Sequence, residues 1–126
     1  MRPGPADILV VATLAGLVAA GQLPPEWTGW LPAVPAHFAG FMALGAAGAS
    51  WVNLRVTPSV PWACVISWLA CVSLGALDEW RQLLISGRHG DTGDLLVDCL
   101  GAAAGVVCAG VFQWIINGRV ENEPAD

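Results

Sequence analysis

Between two apolar segments the chain reads DEWRQLLISGRHGDTGDLLVDCLGAAAG (residues 78–105), a stretch holding Asp78, Glu79, Asp91, Asp94 and Asp98 together with Gln82, Arg81 and Arg88. Asp78 and Gln82 lie four apart and Asp78 and Arg81 three apart, so a helix continuing past Leu77 puts them on one face. Asp94 and Asp98 stack one turn apart at the head of the next apolar run, where free N–H groups and the helix macrodipole favour negative charge. Upstream, His37 opens the segment HFAGFMALG. Carboxylates, an imidazole and a guanidinium at one place could carry general acid/base chemistry, hold a divalent cation or bind an anionic head group.

Most of these residues also have plainer roles. Asp94 after Gly93 fits an N-cap, Asp91 a loop charge, and Arg81 a partner for Asp78 or a snorkelling side chain. His37 fits an interfacial residue bonded to backbone, and Gly87, Gly90 and Gly93 fit turn chemistry better than a phosphate cradle. Asp98 resists such a reading. It lies a turn inside its apolar segment, where a charge costs on the order of 3 kcal/mol even on the lenient insertion scale, so it needs a facing partner or a proton. Arg88 is the natural counter-ion, with Asp78 and Glu79 competing for it. The resulting negative excess would be relieved by a protonated carboxyl or a cation.

The elements that must position these groups are apolar helices. Of 126 residues, 56% are hydrophobic and 12% charged, and the mean hydropathy is +0.62. These values exclude an ordinary soluble domain. A span takes roughly 20 residues, which leaves room for about four. Residues 7–23, 35–54, 60–77 and 94–116 supply them, separated by Pro24, Pro25, Pro32, Pro58 and Pro61. Trp27, Trp30, Trp51, Trp62, Trp80 and Trp114 fall near span ends, where an indole buries its ring and keeps its N–H wet, while Trp68 lies mid-span. The expected fold is all-α: a polytopic membrane protein forming a four-helix transmembrane bundle, with one domain over residues 1–117 and a disordered polar tail over 118–126. A cleaved leader beginning at Arg2 is the rival reading of the first apolar run, but it makes the charge pattern less regular.

The net charge of −5 resides in loops and tails and says little about partners; the lipid bilayer is the expected one, and no nucleic acid is expected. With the N-terminus inside a bacterial-type cytoplasmic membrane, Arg2, Arg55 and Arg119 face the cytoplasm and Arg81 and Arg88 the other side. Both termini are then cytoplasmic. The start of the second span, the end of the third and the start of the fourth meet at the extracytoplasmic face, bringing His37, Asp78, Glu79, Gln82, Arg88, Asp94 and Asp98 to similar depth. Small residues recur every fourth position at Ala12, Gly16 and Ala20, at Ala39, Ala43 and Ala47, and at Gly101, Gly105 and Ala109, which suits packing within one bundle. Cys64, Cys71, Cys99 and Cys108 form no CxxC and lie inside spans as small hydrophobes, and no metal ligand set is assigned.

The segments HFAGFMALG and DEWRQLLISGRHGDTGDLLVDCLGAAAG resemble the VanZ-like family of small membrane proteins. Its pattern runs D-E-x-x-Q, then Gly-Arg, then an Asp opening a helix with Asn four residues later and G-x-x-x-G. The resemblance implies that His37, Asp78, Glu79, Gln82, Arg88 and Asp94 are the family's polar residues. Ser86 stands where a Pro often precedes Gly-Arg, Val34, Pro35 and Ala36 replace a charged pair before the His, and Asp98 replaces the usual Asn. An amide can donate to a carboxylate, and an ionised Asp cannot. The family is named for a protein giving glycopeptide (teicoplanin) resistance, and no agreed mechanism follows from the name.

Two classes of function fit these observations. In one, the cluster is a site for an anionic envelope lipid or lipid-linked ligand, or an enzyme acting on a phospholipid or polyprenyl-phosphate-type substrate. Arg88 would then bind phosphate, the carboxylates would act as acid/base groups or hold a divalent cation, and His37 would carry the proton. In the other, the protein is non-catalytic and the cluster locks the helix hairpin, as in an accessory subunit among partner membrane subunits. Ion conduction fits less well, because the polar groups do not continue across the bilayer.

Overall fold

A computed structural model describes residues 4–22, 33–84 and 92–120. Four helices make up the described residues, with no strand among them: α1 (Pro5–Gln22), α2 (Ala33–Arg55), α3 (Val60–Leu83) and α4 (Thr92–Val120). Pro5 opens α1, and Pro35 and Pro61 sit in the first turns of α2 and α3, where a missing N–H breaks no helical bond. At the other end of α2 the N–H groups of Val56 and Thr57 both donate to the Val52 carbonyl, closing the helix before the short turn into α3. The Ser59 carbonyl accepts the Ala63 N–H as that helix begins.

Three boundaries move from where hydropathy put them. α3 does not stop at Leu77 but runs to Leu83, because Glu79, Arg81 and Gln82 are good helix formers and Arg81 pairs with Asp78 one turn back. Thr92 and Gly93 belong to the first turn of α4 and not to the preceding loop, so Asp94 lies inside that turn instead of capping it. α4 also carries three residues into the segment expected as a tail, of which residues 121–126 lie outside the described residues.

The helices alternate in direction. Along α2 and α4 the close approaches advance together, from Phe38 against Gly101 to Met42 and Ala46 against Gly105, so these two run parallel. α3 runs against them: Cys64 meets Gly110, Trp68 meets Cys99, and Gly75 meets Leu95 and Asp98. α1 packs against α2, with its start near Arg55 and Leu14 reaching the cluster of Phe41, Leu44, Cys71 and Ala102. A three-helix core of α2, α3 and α4 thus carries α1 on one flank.

Small residues hold that core. A Cβ on Gly101 or Gly105 would run into the Phe38 and Met42 carbonyl oxygens, and one on Gly45 would come 2.6 Å from the Ala102 carbonyl oxygen. The Gly101–Gly105–Ala109 stripe therefore packs α4 on α2, as expected. The other two stripes do not follow suit: Ala12, Gly16, Ala39 and Ala43 are exposed, and of these two only Ala47 is buried among the described side chains. Large apolar side chains point outward instead, among them Leu69, Leu100, Val107, Phe112 and Trp114. Helices α3 and α4 are long and apolar enough to cross a membrane, and an apolar exterior over a small-residue core is the arrangement lipid permits.

Candidate functional site

Asp98 and His37 come together across the α2–α4 interface. The tight contact of Gly101 on Phe38 brings the heads of the two parallel helices side by side, and the residues one position before Phe38 and three before Gly101 meet as a pair. His37 Nδ1 lies 2.9 Å from Asp98 Oδ1. The aspartate side chain is 4% exposed and the imidazole 32%. Asp98 is six residues into α4 and His37 four into α2, so both lie about 6–9 Å past their helix starts at 1.5 Å per residue.

The third wall is α3. Gly75 faces Asp98 so closely that a Cβ there would sit 3.4 Å from Oδ2 and 3.1 Å from Leu95 Cδ1. One turn further along α3, Asp78 accepts from Arg81, with Nε at 3.0 Å and Nη2 at 2.8 Å from the same Oδ1. Glu79 beside it is half-buried, as is Asp94. Asp94 and Asp78 are near enough to act electrostatically on His37.

Of the residues expected at this face, His37, Asp78, Glu79, Asp94 and Asp98 are therefore gathered at one end of the core. Gln82 lies on the last turn of α3, where its side chain is outside the description, and Arg88 lies outside the described residues altogether. Among the described residues the group that meets Asp98 is His37, while Arg88, its expected counter-ion, lies outside them. His37 in turn bonds a carboxylate on another helix and not backbone, and Arg81 pairs with Asp78. Among the described residues no three His, Cys, Asp or Glu side chains converge to hold a metal ion.

Chemically, the pair is an oriented imidazole. With its proton on Nδ1, His37 donates to Asp98, which fixes the tautomer and leaves Nε2 as the ring's acceptor on a partly exposed side chain. A group so held can accept a hydrogen bond or a proton from a ligand, or, once doubly protonated, donate to an anion.

A second polar cluster, at the opposite end of the bundle, escaped the reading of the sequence. Asp7 on α1 accepts from Trp51 Nε1 at 2.7 Å, from Arg55 Nη2 at 2.7 Å and from the Gly4 N–H at 2.6 Å. The alternation of spans, which joined His37 to Asp98, also brings the start of the first helix to the end of the second. Asp7 and Arg55 were the signal. Trp68, isolated mid-span in sequence, donates from Nε1 to the Cys99 carbonyl at 3.2 Å.

Residues 25–113 match a known family over α2, α3 and most of α4, the same three helices that form the core and the His37–Asp98 pair. The chain belongs to the VanZ/LLP1 family. No curated protein and no solved structure matches it. α1 precedes the VanZ/LLP1 match, in keeping with its place on the flank of the core.

Proposed function

We propose that this VanZ/LLP1 member is a four-span integral protein of a bacterial-type cytoplasmic membrane with both termini in the cytoplasm. Its polar site at the extracytoplasmic face binds the head group of an anionic envelope lipid or lipid-linked ligand. The observation that carries this reading is the buried carboxyl of Asp98 holding one nitrogen of a His37 ring that is 32% exposed. A purely internal pair would bury both partners. Here the aspartate is inside and the imidazole opens outward, as in a group presented to a ligand. Arg88, between α3 and α4 in the sequence, is the expected charge for a phosphate, and His37 the hydrogen-bonding group.

A second reading is favoured by one observation: the pair joins α2 and α4 one turn from the Gly101–Phe38 contact, where it could simply set the register of the bundle. The protein would then be a structural or accessory subunit. Arg88→Ala, Glu79→Gln and Asp98→Asn separate the two. For a ligand site, all three variants stay folded in detergent and lose the retained envelope lipid and the cellular phenotype. Wild-type behaviour in all three folded variants refutes the site, and loss of folding in each supports the structural role.

A further inference from the structure

Resting on the head-group reading above, we propose that binding at the His37–Asp98 pair is proton-linked. A phosphodiester lipid is held only when the pair carries one proton beyond the one that joins it, and is released when that proton leaves.

The geometry sets the requirement. His37 Nδ1 and Asp98 Oδ1 lie 2.9 Å apart, so one proton is committed to the space between them. The carboxyl is 4% exposed and the ring 32%, which leaves the other ring nitrogen, Nε2, to meet a ligand. With that single proton in place, Nε2 offers a lone pair. An ionised phosphodiester has acceptors and no hydrogen to give, so the two repel. Moving the proton outward onto Nε2 only sets the Nδ1 lone pair against Asp98. A second proton satisfies both sides. One stays between Nδ1 and Oδ1, and the other, taken from solvent, sits on Nε2 and donates to a phosphate oxygen. The count is the same whether the inner proton lies nearer nitrogen or oxygen, because the pair titrates as a unit.

Charge points the same way. Asp94 on α4 and Asp78 on α3 act electrostatically on the ring, and Glu79 follows Asp78 along α3. Among the described residues Arg81 is the one Arg at this end, and it is paired with Asp78. The ionisable residues of α1 and α2 other than His37 are Asp7 and Arg55, which bond to each other at the opposite end of the bundle. With one proton the pair is an anion among carboxylates; with two it is neutral and presents a donor. Arg88 keeps its charge at every pH in this range, so it would add affinity without adding pH dependence.

The test uses phosphatidylmethanol, a phosphodiester lipid with no hydroxyl or amine on its head group, in mixed micelles from about pH 5.5 to about pH 9.5, the range that brackets an imidazole. The chain has two His, so His89→Gln leaves one imidazole, and nitrogen NMR of labelled histidine then reports His37 alone. At a pH where the free ring is singly protonated, adding the lipid should put a proton on Nε2. Above the midpoint of the free ring, affinity read by native mass spectrometry should fall about tenfold per pH unit, the slope for one linked proton, in the wild type and His89→Gln alike. His37→Gln keeps an amide donor that does not titrate, and its pH dependence should vanish. Lipid bound with Nε2 unprotonated, or wild-type retention independent of pH, overturns the proposal while leaving the head-group reading in place. A pH dependence that survives His37→Gln, or disappears in His89→Gln, belongs to another group and overturns it too. Equal competition by dimethyl phosphate, the same head group without chains, would make the ligand a soluble anion and overturns the lipid assignment. No retention by the wild type at any pH removes the head-group reading itself, and the proton linkage with it.

Discussion

Removing His37 should leave the Asp98 carboxyl stranded, and the size of that effect can be worked out. Asp98 is 3% exposed, with the α2–α4 contact on one side and Gly75 on another, so water reaches it only through the space that the ring leaves. Interhelical hydrogen bonds in membrane proteins average about 0.6 kcal/mol and reach about 1.7 kcal/mol. Charge-assisted bonds are roughly twice as strong as neutral ones. The imidazole is 32% exposed, which lets water compete and argues against the figure of about 3–5 kcal/mol typical of breaking a fully buried pair. A coupling of about 1–2 kcal/mol between His37 and Asp98 follows. The assay is a double-variant cycle of His37→Ala, Asp98→Ala and the combination, unfolded from mixed micelles by increasing sodium dodecyl sulfate and followed by helical circular dichroism. The combined variant should be more stable than the sum of the single losses predicts by that amount. Single effects that add to within about 0.5 kcal/mol would mean the two groups do not interact, and the site as described would be wrong.

Glycine replacement should divide sharply by position. Gly105→Ala drives a Cβ into the Met42 carbonyl and to 2.9 Å from the Ala46 nitrogen, and backbone cannot step aside, so a loss of about 1–3 kcal/mol is expected in the same unfolding assay. Gly16→Ala meets nothing within 4 Å and should leave stability unchanged or raise it by under about 1 kcal/mol; equal losses at both positions would refute the packing of α4 on α2. Trp68→Phe keeps the ring and removes the donor to the Cys99 carbonyl, for an expected loss of about 0.5–1.5 kcal/mol, and a neutral result would show that this bond contributes nothing net. Asp7→Ala should speed amide exchange along α1 while sparing α3 and α4, since Asp7 fastens α1 to α2; uniform acceleration through all four helices would contradict a flanking α1. For the proposed orientation, a cysteine placed at His89 should react with an impermeant maleimide from outside the cell, and reaction only after permeabilisation would invert it.

Much of the site could be read from the sequence because its location depends on local signals. Hydropathy finds the apolar runs, prolines separate them, and alternation of direction brings His37, Asp78, Asp94 and Asp98 to one end. The same logic applied to Asp7 and Arg55 would have found the second cluster, but three acceptor bonds on one carboxylate have no signature in spacing. The apolar run ends at Leu77 because hydropathy reports where lipid contact ends, whereas a helix ends where its backbone bonds fail, and the continuation past Leu77 that pairs Asp78 with Arg81 is present. Asp78 through Leu83 keep those bonds in a polar setting.

By itself, then, the sequence determined an all-α chain with long apolar helices, a polar cluster at one end and membership of the VanZ/LLP1 family. Only the tertiary structure decided that Asp98 faces His37, that Gly101 and Gly105 pack while Ala12 and Gly16 stay exposed, and that Asp7 joins Trp51 and Arg55. The physical reason is rotation. Each of these facts depends on how a helix is turned about its own axis, and hydropathy all round an apolar helix leaves that angle undetermined. It is set by where backbones can come closest, which requires the shapes of α2, α3 and α4 together.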